Sequence, residues 1–341
     1  MKLARFAASA LLVVGLAACG GGVTSQVVPA KKVAFLLPDT TSARYESQHR
    51  PLFQAKLQSV CGDCTVIYRN ANGDAAAQLQ QAQYALGSGA NVVVLDPVDA
   101  ASASSIVAAA ARRHVPVIDY DRLVLNTTGV RYYVGFDNTA IGTLQGKALL
   151  AAVKGSPPAV VMLNGDAADH DAATLKTAVH RAIDGKVSIA REFDTPASSS
   201  DGAQLEMTQA LTALNNKLDG VYAANDDMAS GALEALRAEG LNGKIPVSGT
   251  DGIKLAVEAV KSGDMAATAS WNPYWQGGMG LSIGYGARTG KFDVTKEPDN
   301  HRNYNAKGIL VTKDTVDDFI KNYIQTTPKV DWNDYWGNVA S

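Results

Sequence analysis

The sequence predicts an α/β protein of two lobes, each a parallel sheet with helices on both faces. Three observations lead to this. Short apolar runs alternate with helical stretches along most of the chain, the runs outnumber the strands of one ordinary domain, and one strand–helix–strand pattern occurs in both halves. Such alternation implies βαβ units in sheets buried on both sides, with right-handed crossovers.

In chain order, VAFLL (33–37) reads as the first strand, followed by a helical pattern from Phe53 to Val60 and a strand at TVIY (65–68). A helix from Asp74 to Leu86 leads to VVVLD (92–96), and one from Ala100 to Arg113 leads to VPVID (115–119) and then YYVGF (132–136). Thr139 to Val153, Asp171 to Ile183 and Ala203 to Leu214 are helical, with AVVML (159–163) and VSIAREF (187–193) between them. GVYAA (220–224), a helix from Asp227 to Glu239, IPVSG (245–249), a helix from Ile253 to Lys261 and MAATA (265–269) complete the series. Runs this short with helices between them fit strands better than buried helices.

The repeated pattern is NVVVLDPVDAASASSIVAAAARRHVPVIDYDR in the first half and LDGVYAANDDMASGALEALRAEGLNGKIPVSGTDG in the second. Asp96 to Asp121 spans 25 positions and Asn225 to Asp251 spans 26. Each copy places polar residues at the carboxyl ends of neighbouring parallel strands, the edge where open α/β sheets hold ligands. Two such edges facing each other form a cleft that closes by hinge bending.

Composition narrows the class. The chain has 341 residues, 46% of them hydrophobic, enough for two domains or one large one. A formal net charge of -2 without a long basic run argues against nucleic acid as a partner.

The N-terminus reads as a targeting segment. Lys2 and Arg5 precede an apolar stretch, Phe6 to Leu16, too short to span a bilayer. Leu16-Ala17-Ala18-Cys19 resembles the lipobox of bacterial lipoprotein signal peptides. That resemblance implies removal of residues 1–18, lipidation of Cys19, and a flexible tether over 19–31. Several acyl chains on one residue give stable anchoring. The body is therefore expected to be soluble, extracytoplasmic and held to a membrane, in the periplasm or at the cell surface according to the envelope.

Cys61 and Cys64 (CGDC) are too few for a zinc site. They follow a helical pattern, whereas a thioredoxin-type motif opens one. In an oxidising compartment they read as a structural disulfide contributing about 2 kcal/mol by loop closure.

The loops carry the candidate chemistry. PDTTSARYESQHR offers Asp39, Arg44 and Tyr45; VPVIDYDR ends in Asp121 and Arg122; NGDAADHD offers Asp169, His170 and Asp171. Asn225, Asp226 and Asp251 lie in the second half, and Trp271-Asn272 follows the tenth strand. Carboxylates, amides, guanidiniums and aromatic faces suit a polyhydroxylated ligand: Asp accepts hydroxyl protons, Arg donates in a planar fork, and Asn does both. A phosphate calls instead for a Gly-rich loop or a basic cluster, and neither occurs. Asp121-Arg122 alone fits a surface turn as well as a ligand contact, and the echo at Asp251 favours contact. Asn225-Asp226-Asp227 opens a helix, so one of the three reads as an N-cap, and the cleft role goes to Asn225. Asp137-Asn138 reads as a cap, His170 as a solvated loop residue, and Asp119 and Tyr120 stay unassigned.

Enzyme motifs fail. GLSIG (280–284) puts Ser282 inside a helical stretch, not at a strand-to-helix elbow. GGMGLSIG lacks dinucleotide-binding spacing; no P-loop, EF-hand or i, i+4 histidine pair occurs. The sequence therefore points to no catalytic residue, metal or cofactor.

Taken together, YDRLVLNTTGVRYYVGFDNTAIGTLQGKALL, LTALNNKLDGVYAANDDMASGALEALRAEGLNGKIPVSGTDG and NAKGILVTKDTVDDFI resemble the periplasmic, type I sugar-binding proteins of bacterial ABC importers, most of all their xylose-binding branch. The resemblance implies two Rossmann-like lobes joined by three hinge crossings near Phe136-Asp137, Trp271-Asn272 and Ile309-Leu310. Residues 32–136 with 273–309 would form the N-terminal lobe, and 137–272 with 310–341 the C-terminal lobe. It also implies a monomer that delivers a monosaccharide, a xylose-like pentose or related sugar, to a membrane permease with a cytoplasmic ATPase. Position by position, Asp121 and Arg122 would grip ring hydroxyls, Asn225 and Asp251 would bind from the other side, and Arg44 and Tyr45 would be a hydrogen-bonding and stacking pair. The chain departs from xylose binders in three places. Trp271-Asn272-Pro273 stands for Tyr-Lys-Pro, Asp169-His170-Asp171 for Asp-Asn-Asn, and DTPASSSDG supplies no aromatic wall. The alternative is a sensor of another sugar, a polyol, a nucleoside or a signalling furanose that reports to a membrane receptor.

Overall fold

The computed structural model describes residues 32–130, 132–270, 280–281, 283–284, 303–306 and 308–324. Cys19, Trp271 and Asn272, and with them the lipidation site and the loop after the tenth strand, lie outside the described residues.

The chain first runs β1 (Lys32–Leu37), α1 (Arg50–Val60), β2 (Thr65–Asn70), α2 (Ala75–Gly87), β3 (Val92–Leu95), α3 (Ser104–Ala111), β4 (Val117–Tyr120) and β5 (Tyr132–Phe136). It continues through α4 (Asn138–Ala152), β6 (Ala159–Asn164), α5 (His170–Ile183), β7 (Ser188–Asp194), α6 (Ser200–Leu214) and β8 (Gly220–Ala223). Then come α7 (Asp226–Ala238), β9 (Val247–Thr250), α8 (Lys254–Ser262) and β10 (Ala267–Ser270). Two late strands, β11 (Asn303–Ala306) and β12 (Ile309–Thr312), precede α9 (Val316–Phe319).

These strands make two six-stranded sheets, ordered β11-β5-β4-β3-β1-β2 and β12-β10-β9-β8-β6-β7. All pairings in the first are parallel, and in the second only β10 with β12 is antiparallel. Continuous apolar strands are needed because both faces are covered. Val33, Phe35 and Leu37 join one core with Val94 and Tyr120, while Ala34 and Leu36 join the opposite core with Val93 and Ile106. The second sheet is enclosed in one core that draws in Val161, Val179, Met207, Tyr222, Met228 and Leu236.

The two sheets repeat one winding. In each, the order reverses at the first strand of the lobe, β1 or β6, which opens a crevice at the carboxyl edge. The repeat extends to the strand starts. β4 and β9 begin after Val115-Pro116 and Ile245-Pro246, two residues later than the apolar run suggests. Proline has no N–H for the ladder, but its carbonyl still serves: Pro116 O accepts from Val93 N at 3.0 Å and Pro246 O from Val221 N at 2.9 Å.

Helix starts follow side-chain chemistry. Asp74, Asp137, Asp169, Ser199 and Asn225 accept hydrogen bonds from the free N–H groups that open α2, α4, α5, α6 and α7. Cys61 and Cys64 form a disulfide between α1 and β2.

The chain leaves the first sheet after Phe136. Past Ser270, Gly280 lies against the first sheet, where a Cβ would stand 3.3 Å from the Tyr120 ring. β11 is not legible in the sequence, since NYNA has no apolar run and its place is set by backbone pairing with β5, whereas β12 is a short apolar run, ILVT, that pairs antiparallel with β10. Ile309 opens β12 opposite Ser270, so the chain is in the second sheet from Ile309 onward.

α6 and α7 approach closely at Gly231, where a Cβ would stand 2.1 Å from the Ser200 carbonyl oxygen. Gly231→Ala should therefore destabilise the protein by about 1–3 kcal/mol, read as a lower urea midpoint. An unchanged midpoint would show that the helices do not meet there.

Candidate ligand-binding site

Loops from the carboxyl edges of both sheets converge on one cavity. Ser42, Arg44, Asp121, Arg122 and Phe136 line it from the first lobe; Asn138, Asp169, Asp171, Leu175, Ser198, Asn225 and Asp251 line it from the second.

Asp121 follows β4 directly, at φ +68°. Its N–H bonds Val134 O at 2.9 Å, and Arg122 N reaches back to Tyr120 O at 2.9 Å, closing a three-residue turn of the strained left-handed kind. Tyr133 Oη donates to Asp121 O at 2.9 Å and holds the turn. Asp251 holds the corresponding place after β9, but without the three-residue turn, since Gly252 N bonds Thr268 Oγ1 at 3.2 Å. It sits at φ +128°, its N–H bonds Ala269 O at 2.9 Å, and Ser270 Oγ donates to its carbonyl at 3.2 Å.

Arg44 joins the two. Its Nη2 donates to Asp121 Oδ2 at 2.7 Å, and its Nε lies 3.6 Å from Asp251 Oδ2. His49, fully buried behind it, accepts from Arg44 Nη1 at 3.2 Å. Burial, then the Arg44 charge, push the His49 pKa down to about 3, so its ring is a neutral acceptor. Arg122 reaches Asp39 Oδ2 at 3.4 Å in its own lobe and Asp169 Oδ2 at 3.3 Å across the cleft.

The carboxyls divide by charge. Burial opposes ionisation of Asp121, but the charge and hydrogen bond of Arg44, with Arg122 behind it, outweigh that and hold Asp121 well below the usual carboxylate range. Asp96 and Asp251 go the other way, raised by burial with only partial relief from the guanidiniums. Asp171 is pushed up to about 8, by burial first and then by the Asp169 charge. Near neutral pH the site thus mixes an ionised acceptor, Asp121, with a protonated carboxyl, Asp171, that both donates and accepts.

The structure brings together Arg44, Asp121, Arg122, Asp171, Asn225 and Asp251. Tyr45 is placed differently from the sequence reading. Its ring is fully buried under the Arg44 guanidinium, 4.6 Å from the ring centre, and its hydroxyl donates to Asp121 Oδ2 at 2.8 Å. It braces the site and offers no stacking face to the cavity. Asn225 does double duty: its Oδ1 caps α7 through Met228 N at 2.8 Å, and its Nδ2 lies 3.5 Å from Ser198 O.

Asn138, Ser198 and Leu175 are among the lining residues that the sequence reading does not assign to the site. Asp137 does cap α4, through Ala140 N at 2.9 Å, and this leaves Asn138 free to line the cavity. Two cap-type residues in succession are the signal that could have found it. Ser198, in DTPASSSDG, lines the cavity from a left-handed conformation at φ +47°. Leu175 does so from α5, and nothing in its sequence context marks it. His170 is exposed at the start of α5. Asp119 accepts from Val124 N at 2.8 Å and Tyr120 packs edge-on against Phe35, so both brace the β4 end from beneath.

Two doubly wound lobes enclosing a polar cavity between their carboxyl edges define a cleft-type ligand-binding protein. The chain belongs to the periplasmic binding protein domain family, whose sequence model matches residues 33–291. It is 29% identical over 242 residues to the D-xylose-binding periplasmic protein of Escherichia coli, covering 70% of this chain and 72% of that one. It is 28% identical over 331 residues to the xylitol-binding protein of Mycolicibacterium smegmatis, covering 96% and 90%. Among solved structures it resembles a twin-arginine translocation pathway signal protein from Burkholderia phytofirmans, with a TM-score of 0.84, 29% identity, and coverage of 92% of this chain and 98% of that one. Both sequence relatives are binding proteins and not enzymes.

Asp171 makes stability depend on pH. An unfolded carboxyl loses its proton near pH 4, whereas the folded protein keeps this one up to about 8. The stability linked to it is complete at acid pH and is lost as pH rises through that window. Asp171→Asn should therefore raise the melting temperature more at about pH 8.5 than at about pH 5. A pH-independent difference would mean that Asp171 is ionised in the fold.

Proposed function

We propose that this protein is an extracytoplasmic solute-binding protein that captures a monosaccharide, a xylose-like pentose or related sugar, and delivers it to an ABC permease with its cytoplasmic ATPase. Membrane attachment through lipidated Cys19 would keep it near that permease. One observation carries this reading: Arg44 and Arg122 alternate with Asp121, Asp169 and Asp251 around one cavity, with Asn138, Asn225 and Ser198 filling the gaps. A sugar hydroxyl both donates and accepts, and such a ring satisfies both halves of several hydroxyls at once. Sugar recognition by the E. coli relative supports it.

A second reading is a sugar alcohol. Tyr45, the aromatic that would cover the C–H face of a pyranose, is buried under Arg44. The relative aligned over 96% of the chain binds xylitol. An acyclic polyol has hydroxyls to satisfy and no broad apolar face.

A thermal-shift screen of the soluble mature chain with D-xylose, D-ribose, D-allose, xylitol, nucleosides and amino acids tests both readings. A ligand of micromolar Kd at millimolar concentration should stabilise the fold by about 4 kcal/mol. The expected result is a shift with one or a few sugars or alditols, abolished by Asp121→Ala or Asp251→Ala. A shift with a nucleoside or amino acid and none with any polyhydroxylated compound would refute both.

A further inference from the structure

The start of α7 carries three successive polar residues, and each does something different. Asn225 caps the helix and lines the cavity. Asp226 is fully buried and accepts from Ile253 N at 3.0 Å and Thr268 Oγ1 at 2.8 Å, which fixes the loop that carries Asp251. Asp227 turns to the other lobe, and its Oδ2 accepts from Ala43 N at 3.0 Å.

We propose that Asp227 is an interlobe latch, holding the first-lobe loop that bears Arg44 against the second lobe and setting ligand affinity without touching the ligand. The proposal rests on the reading of the cavity as the ligand site. The groups that would hold a ligand lie deep between the lobes, with the side chains of Arg44 and Asp251 only 11% and 3% exposed. In a cleft that opens and closes by hinge bending, every direct bond between the lobes weighs on the closed state.

Among the described residues, two ion pairs also cross the cleft, Arg44 with Asp251 and Arg122 with Asp169. All four of those side chains line the cavity, so a ligand competes for them. Asp227 and Ala43 are outside the lining, and their bond escapes that competition.

The loop is built to present this N–H. Asp39 Oδ1 accepts from Thr41 N at 3.0 Å and Ser42 N at 3.1 Å, and Asp39 O accepts from Asn70 Nδ2 at 2.8 Å. On the far side, Ala43 O accepts from Ser47 N at 3.1 Å and Ser47 Oγ at 2.7 Å. The Ala43 N–H is thus held on a rigid loop one residue before Arg44. A charge-assisted bond there pulls on the ligand-binding guanidinium as closure occurs. Energetically this is a bias on the two-state equilibrium between open and closed forms.

The test measures the distance between spin labels at Tyr84→Cys in the first lobe and Leu255→Cys in the second, both exposed positions, in the soluble Cys19→Ser chain without ligand. The expected parent distribution includes a closed population, which Asp227→Ala depletes. Asp227→Asn, which keeps an acceptor oxygen, should be intermediate at an unchanged melting temperature. Superimposable distributions for parent and Asp227→Ala, or a parent with no closed population, would overturn the latch. With D-xylose as probe, Asp227→Ala should dissociate roughly tenfold faster, as expected for loss of a hydrogen bond to a charged group, with the larger part of the change in dissociation rather than association. Equal dissociation rates would also overturn it. If D-xylose binds no variant, the pentose reading fails and the label distances alone decide the latch.

Discussion

The Arg44–Asp121 pair, 2.7 Å apart and almost out of solvent, imposes conditions on everything around it. A buried charge costs several kcal/mol unless it is paired and hydrogen-bonded. Tyr45 and Arg44 both donate to the same carboxylate oxygen, and a neutral His49 accepts from the guanidinium. Beside the pair, Asp96 is raised well above its ordinary range, by burial first and then by the Asp121 charge. One ionised acid and its base survive burial because the groups nearest them are neutral or complementary. The same arrangement leaves the cavity with fixed donors and acceptors, which a polyhydroxylated molecule can use without reorganising them.

The two halves solve one geometric problem twice. Each lobe ends its fourth strand in an aspartate at positive φ, bonded through its N–H to the strand beside it. Both aspartates sit in strained backbone, Asp121 at φ +68° and Asp251 at φ +128°, and the backbone there carries each carboxyl above the sheet edge. Facing copies then present opposed carboxyls, and Arg44 spans the gap between them. This is why the site exists only between the lobes: neither sheet edge alone holds both a guanidinium and its second carboxyl.

Much of this was readable in advance. The apolar runs that must be buried on both faces located ten strands to within two or three residues, and the repeated pattern pointed to Asp121 and Asp251. Asn138 was hidden because Asp137 beside it explained the same two letters as a cap. Tyr45 was misplaced because an aromatic next to an arginine fits either a platform for the ligand or a brace for the guanidinium. Only the depth of its ring beneath Arg44 separates the two. The polar strand β11 carries no apolar signal, and its pairing is supplied wholly by β5.

By itself, the sequence determined the winding of each lobe, because local periodicity, proline positions and helix caps act over a few residues. It also determined which residue types meet at the strand ends, since βαβ crossovers leave those loops on one edge. Tertiary structure alone decided how those residues are used. Whether a carboxyl is ionised, as at Asp121, or neutral, as at Asp171, depends on burial and on charges brought from loops more than a hundred residues away along the chain in some cases. The division of labour along Asn225-Asp226-Asp227 depends likewise on which partner each side chain meets: its own helix, the neighbouring loop, or the opposite lobe. Those partners are distant in sequence, and no local pattern encodes them.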